Sequence, residues 1–292
     1  MKIHPKNISV VIPAKNEEHS IASVVAEVVN VLAEAQVIVV DDGSDDLTAK
    51  FAAQAGAEVI SHPYSLGNGA AIKTGARKAL GEVLVFMDAD GQHRPEDIPR
   101  LLGTYEEGYS LVVGARSTKH QASFGRLVAN TIYNKLSSWI TGHAILDLTS
   151  GFRVVNAVKF REFINLLPNG FSYPTTSTMA FFRAGYSVAY CPIEVLSRSG
   201  KSHINVWRDG ARFLLIIFKV GTLFSPLKLF FPISMAFFCT GLFYYIYTLV
   251  TEGRFTNMSA LLFSTSVLVF LIGLVSEQIT SLLYVKSSQD KK

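Results

Sequence analysis

Val83-Leu84-Val85-Phe86-Met87-Asp88-Ala89-Asp90-Gly91-Gln92-His93 is the stretch that decides the fold. An apolar run that ends in Asp-x-Asp reads as a buried strand. It delivers two carboxylates to the crevice at the carboxyl edge of a sheet, where open α/β folds bind ligands. Two hard oxygen ligands there suit Mg2+ or Mn2+, and such an ion can hold a diphosphate. An Asp-rich turn that merely caps the helix starting near Pro95 would use the same residue types, so the rest of the chain has to discriminate.

Working outward, short β-branched runs at 8–12, 37–40, 58–60 and 111–113 alternate with helical patterns at 20–35, 48–55 and 70–80. That alternation predicts βαβ units and a mainly parallel sheet, with Ser20 as the N-cap of the first helix. The first, second and fourth strands each run into a polar cluster. These are Pro13-Ala14-Lys15-Asn16-Glu17, Asp41-Asp42-Gly43-Ser44 and the Asp88 to His93 segment. One such cluster is ordinary turn chemistry. Three on one sheet edge are expected to share a pocket.

The apolar residues are unevenly spread along the 292 positions. Residues 1–205 read as an α/β domain, 206–224 as an amphipathic segment able to lie in a bilayer interface, and 225–287 as two membrane spans at about 227–250 and 259–285. Lys201, Arg208, Arg212, Lys219 and Lys228 precede the first span, and Lys286, Lys291 and Lys292 follow the second; the intervening loop carries only Glu252 and Arg254. By the positive-inside rule the α/β domain and both termini are expected on the cytoplasmic side of the cell inner or plasma membrane. The net charge of +4 is modest and concentrated beside the spans, which favours anionic lipid over nucleic acid as a partner. The N-terminus leads straight into a strand and lacks a signal-peptide core. Cys191 and Cys239 are too few for a disulfide framework or thiolate cluster. Glu277 and Gln278 lie inside the second span, where contact between spans or between subunits in a homo-oligomer would satisfy them.

Taken in order, Val11-Ile12-Pro13-Ala14-Lys15-Asn16-Glu17-Glu18, Val39-Val40-Asp41-Asp42-Gly43-Ser44, Gly67-Asn68-Gly69-Ala70-Ala71, Asp88-Ala89-Asp90-Gly91-Gln92-His93 with Pro95-Glu96-Asp97, and Ser150-Gly151-Phe152-Arg153 resemble the inverting family 2 glycosyltransferases of GT-A type. The resemblance is to the polyprenyl-phosphate branch, which includes dolichol-phosphate mannose synthase, and it spans about the first 205 residues. It implies a Rossmann-like GT-A domain in which Pro13, Lys15, Glu17, Asp41 and the Asp88-Ala89-Asp90 triplet border a nucleotide sugar. It also implies that Asp88, Asp90 and Gln92 surround the metal, with His93 a softer alternative ligand. Arg116, Arg126 and Asn130 match acceptor-phosphate positions, Arg153 is a further cation available to that phosphate, and Arg198 to His203 match a mobile basic loop. Relatives usually carry Lys where this chain has His203. Gly67-Asn68-Gly69 matches neither the dinucleotide nor the Walker pattern and reads better as a tight turn into a helix.

A sugar hydroxyl must lose a proton as it attacks and usually needs a general base, whereas a lipid phosphate arrives already anionic. The stretch Phe171-Ser172-Tyr173-Pro174-Thr175-Thr176-Ser177-Thr178 carries hydroxyls where related transferases often have an acid, and the Gln-x-x-Arg-Trp pattern of processive synthases is absent. Both features favour a polyprenyl phosphate acceptor, with Arg116, Asp88 and Asp90 at the catalytic centre. Asp147 is either a helper near the acceptor or a buried partner for an Arg. The expectation is metal-dependent, inverting transfer of one sugar from a UDP- or GDP-sugar to a polyprenyl phosphate. The alternatives are a membrane-anchored transferase acting on a saccharide or other hydroxyl, and a non-catalytic nucleotide-sugar-binding membrane protein.

Overall fold

The computed structural model describes residues 3–116, 124–170, 173–195, 218 and 221–289, without the side chains of 124–130, 132 and 283–289. The chain divides into two compact units, one formed by 1–138 and 143–204, the other by 139–142 and 205–292.

In the first unit seven strands form one sheet in the order β3-β2-β1-β4-β6-β5-β7. They are β1 (Ile8–Ala14), β2 (Gln36–Asp41), β3 (Glu58–Ser61), β4 (Val83–Phe86), β5 (Leu111–Arg116), β6 (Arg153–Asn156) and β7 (Val188–Ile193). β1, β2, β3 and β4 are mutually parallel, while β6 runs antiparallel to β4 and β5. The helices are α1 (Ile21–Val31), α2 (Thr48–Gln54), α3 (Asn68–Lys78), α4 (Ile98–Glu106), α5 (Phe124–Thr141), α6 (Ala157–Glu162) and α7 (Tyr173–Arg183). The central strands are covered on both faces, and every residue of β1 and β4 is buried, as their unbroken apolar runs require.

The βαβ reading therefore holds, with β5 running on to Arg116. The short strands β6 and β7 escape a periodicity search because one starts on an arginine and the other contains Pro192. Two local expectations are corrected. α1 stops at Val31, short of residue 35, and Ser20 makes no capping bond with its side chain. Its hydroxyl lies 2.8 Å from the carbonyl of Ala89 instead. Gly67 and Gly69 serve close approach: a Cβ on either would collide with the carbonyls of Asn169 and Pro168, and the Ala70 amide donates to Asn169 O at 3.1 Å. The start of α3 is thus covered by the chain's own backbone.

In the second unit, helices Pro226–Glu252 and Asn257–Gln289 form a hairpin whose turn is closed by Gly253 in the left-handed region at φ 64°. Both are long and apolar enough to cross a membrane, and only 11% and 17% of their most apolar windows are buried, unlike core helices. Beyond Pro226 in the first turn, the buried positions recur every seventh residue: Ser234, Gly241 and Thr248 on one helix, Ser259, Ser266, Gly273 and Thr280 on the other. Small residues at a seam let the backbones approach closely. Ser234 and Ser266 meet there, each hydroxyl 2.9 Å from the other residue's carbonyl oxygen. Glu277 accepts the Leu227 amide at 3.3 Å, so this acidic side chain within the apolar hairpin reaches the first turn of the partner helix. Lys228 Nζ donates to Ile140 O at 2.8 Å, a cation on the last carbonyls of α5. The expected amphipathic segment at 206–224 falls mostly outside the described residues.

Ser234→Ala and Ser266→Ala, read by unfolding in mixed micelles, should each cost about 0.6 to 1.7 kcal/mol and add nearly independently, because each removes one hydroxyl-to-carbonyl bond and leaves the other's acceptor in place. Unchanged stability in both variants would show that the seam does not depend on this pair.

Candidate active site

Because β1, β2 and β4 are parallel and β6 returns antiparallel with Arg153 opposite Phe86, one sheet edge collects the ends of β1, β2, β4 and β5 and the start of β6. Glu17, Asp41, Asp88, Arg116 and Gly151 therefore belong to the same rim.

Asp88 sits at its centre. Gly151 lies against the carboxylate so closely that a Cβ there would come within 2.8 and 2.9 Å of its two oxygens. The imidazole of His93, buried and stacked on Phe152 with centroids 5.1 Å apart, accepts the Asp88 amide through Nδ1 at 3.4 Å. The Asp88 side chain keeps 37% of its surface, so the carboxyl is walled in but open on one side. Its pKa is raised, first by burial and secondarily by Asp90, against the pull of His93, Arg116 and Arg153. Asp90 Oδ1 accepts the Gln92 amide at 3.1 Å across Gly91, which turns the triplet away from the strand.

The triplet is also tied to the first strand's cluster. Ser20 Oγ bridges Ala89 O at 2.8 Å and Glu17 Oε2 at 3.0 Å, while the Glu17 amide donates to Thr48 Oγ1 at 2.8 Å. Asn16 adopts φ 54° and exchanges bonds with the second cluster, its amide to Ser44 Oγ at 2.9 Å and its Oδ1 from the Asp45 amide at 3.0 Å. Lys15 is exposed, Pro13 is buried within β1, and Asp41 Oδ1 accepts from both the amide and the hydroxyl of Ser44.

The structure separates the two readings of Asp147. Arg116 closes a fork on it, Nε to Oδ2 at 2.7 Å and NH2 to Oδ1 at 3.0 Å, and its guanidinium also reaches Thr149. Burial would raise the Asp147 pKa, but the hydrogen bonds and charge of Arg116 hold it below the ordinary value. Asp147 is the partner of an arginine, and Arg116 keeps 34% of its side-chain surface at the rim.

Arg153 is placed differently from the sequence expectation. It is wholly buried, and its donors go to the carbonyls of Ser150 and Pro174 and the hydroxyls of Ser177 and Thr178. No part of it reaches the rim as an acceptor ligand, because a buried guanidinium needs all these oxygens in place of water. The hydroxyl run of α7 thus solvates a buried cation. Arg126 and Asn130 lie on α5 with side chains outside the description, and Arg198, Lys201 and His203 fall outside the described residues altogether.

The residue that motif reading passed over is Asp42. Buried beside Asp41, it accepts from His62, Ser65, Leu66 and Gly67. Burial opposes its charge, yet these bonds keep its pKa below the usual carboxylate value. The doubled acid at 41–42 was the available signal.

Among the described residues no three His, Cys, Asp or Glu side chains gather in ligating geometry. Two carboxylates alone still fit a hard divalent ion, because Mg2+ is typically held by one or two carboxylates plus substrate phosphates and water. Gly151, which leaves room only for the Asp88 oxygens, fits the same assignment.

The profile of glycosyl transferase family 2 matches residues 9–184, and that of the GtrB C-terminal hairpin matches 225–282. This chain belongs to glycosyl transferase family 2. It is 28% identical to Glycosyltransferase AglJ of Haloferax volcanii over 293 aligned positions, 95% of each chain, and 29% identical to the same organism's dolichyl-phosphate hexose transferase over 216, covering 73% of this chain and 93% of the other. It is 33% identical over 189 positions to the undecaprenyl-phosphate 4-deoxy-4-formamido-L-arabinose transferase of Photorhabdus laumondii, and spans 58% of that relative's length. Among solved structures it resembles glucosyl-3-phosphoglycerate synthase from Mycobacterium tuberculosis, crystallised with Mn2+, UDP and glucosyl-3-phosphoglycerate, at TM-score 0.59 and 25% identity over 72% of this chain and 77% of that one. The sheet is of the GT-A type, and the family 2 transferase carries a C-terminal two-helix hairpin.

Asp147→Asn should cost about 2 kcal/mol at neutral pH, the modest value reflecting the partial exposure of Arg116. A depressed carboxylate stabilises above its ordinary value of 3.8 and loses that effect as pH falls through the lower folded value. The gap between wild type and variant in urea denaturation should therefore close below pH 3.8 and be complete at pH 7. A gap independent of pH would show that the pair is not ionic.

Proposed function

We propose that this family 2 transferase moves one sugar from a nucleoside diphosphate sugar to a polyprenyl phosphate at the cytoplasmic face of a membrane, with inversion at the anomeric carbon. The observation that carries the reading is the Asp88/Asp90 pair at the converging strand ends, in a chain that also carries an apolar hairpin of the GtrB type. Relatives named for dolichyl-phosphate and undecaprenyl-phosphate transfer support the acceptor class.

Asp88 and Asp90 would hold Mg2+ or Mn2+, with Gln92 beside them; such an ion supplies Lewis-acid neutralisation of the charge that develops on a departing diphosphate. The protein's own groups do the rest. The bridge from Ser20 to Ala89 and Glu17 fixes the acidic triplet against the first strand's loop, so donor and carboxylates keep one geometry. Arg116, oriented by Asp147, presents a permanent cation at the rim for acceptor or donor phosphate. Arg126, Asn130, Arg198 and His203 are the further phosphate contacts in this reading. Asp147 is committed to Arg116 and the hydroxyls of Ser177 and Thr178 to Arg153, so neither serves as a base; an anionic phosphate acceptor needs none. The hairpin anchors the chain in the membrane that holds a lipid acceptor, and the chain divides functionally into 1–205, 206–224 and 225–287.

Purified protein in nanodiscs with Mn2+ or Mg2+, polyprenyl phosphate and a panel of nucleotide sugars should yield a lipid product that mild acid cleaves, as a glycosyl phosphate must. Asp90→Ala should lower turnover roughly a thousandfold or more with an unchanged melting curve, several kcal/mol of barrier being at stake. Failure of every donor, or an acid-stable product, would contradict the proposal.

A further inference from the structure

The donor reading leaves the outer side of the nucleoside pocket unassigned, and the segment after β3 is placed to form it. β2 and β3 run parallel with Asp41 opposite Ser61, so the chain beyond Ser61 emerges at the same rim as Asp41. The His62 amide donates to Asp41 O at 2.8 Å, and the chain then folds back over Asp41-Asp42-Gly43.

Asp42 holds this fold-back with both oxygens. Oδ1 lies 2.8 Å from His62 Nδ1 and accepts the Leu66 amide at 2.8 Å; Oδ2 accepts Ser65 Oγ at 2.7 Å and the Gly67 amide at 2.9 Å. The other ring nitrogen of His62 is 2.9 Å from Thr74 Oγ1 on α3. Gly43, at φ 67°, makes the approach possible, since a Cβ there would lie 2.8 to 2.9 Å from the backbone of Tyr64 and Ser65. The backbone of Tyr64 is thereby pressed against the residue two positions after Asp41, while its side chain stays 66% exposed. A buried carboxylate with four hydrogen bonds is a rigid mount, and what it mounts is an aromatic ring that packs into no core.

We propose that residues 62–67 form the outer wall of the donor's nucleoside pocket, with Tyr64 the surface against which the base rests and Asp42 and His62 the positioning residues that hold the wall. This rests on the nucleotide-sugar reading above. An aromatic face suits any nucleobase, because every base has a π-face, and the phenol edge adds a polar handle. Asp41, on the same edge, supplies the acceptor oxygens.

Titration calorimetry with full-length protein and Mn2+ should use ADP, CDP, GDP, UDP and inorganic pyrophosphate as probes. Tyr64→Ala should weaken the preferred nucleoside diphosphate roughly tenfold, leave pyrophosphate unchanged, and be rescued by Tyr64→Phe. Asp42→Asn should weaken the same nucleotide while sparing pyrophosphate. Unchanged nucleotide affinity in Tyr64→Ala, or an equal loss for pyrophosphate, overturns the assignment while leaving the functional reading intact. A wild type that binds no nucleoside diphosphate overturns that reading and this one with it.

Discussion

A carboxylate held half in water at the end of a fully buried strand is the constraint around which the catalytic unit is arranged. The Asp88 pKa is raised by burial and by Asp90, and the surroundings answer that penalty with two guanidinium groups, Arg116 at the rim and Arg153 in the interior. Arg153 has no carboxylate within hydrogen-bonding reach among the described residues, and it is satisfied by carbonyls and hydroxyls instead. The pattern suits the proposed use of the cleft, binding a divalent cation and releasing a polyanion. Acid is kept at the open side and cations are kept behind and beside it.

The same economy explains why the first and second polar clusters are so heavily cross-linked. Asn16 with Ser44 and Asp45, Glu17 with Thr48, and Ser20 with Ala89 join the loops that follow three strand ends. Each bond is worth only about 1 kcal/mol, but together they hold loops that would otherwise move independently. In the second unit the corresponding device is the seven-residue seam of Ser, Gly and Thr, which turns its aromatic and aliphatic side chains outward. Phe243, Tyr247 and Val250 are more than 60% exposed, as befits a lipid-facing surface.

Much of this was legible in the chain. Buried parallel strands announce themselves as unbroken apolar runs, and the acidic triplet after Met87 marked the rim. Both hairpin helices followed from length and hydropathy. What escaped had physical reasons. β6 is short and opens on a charged residue whose burial depends on oxygens from α7, so nothing local to 153–156 marks it as a central strand. Ser20 stands at the N-cap position but caps nothing with its side chain, because its backbone is already in the helical region at φ −114° and ψ −32°, and its hydroxyl proton goes to the carbonyl of Ala89. Arg153 read as a phosphate ligand because arginines near such sites usually are, and only the three-dimensional placement of Ser177 and Thr178 shows it facing inward. The hairpin seam escaped as well, because hydropathy weighs serine and glycine as mere interruptions of an apolar run.

The account stands on Asp88 and Asp90 forming a divalent-ion site together with a diphosphate. Electron paramagnetic resonance of Mn2+ in the presence of UDP or GDP measures this directly. The account predicts one ion removed from solution per chain, tightly only when the preferred nucleotide is present, and no such binding in Asp88→Asn. Full Mn2+ binding in that variant, or none in the wild type with any nucleoside diphosphate, would contradict it.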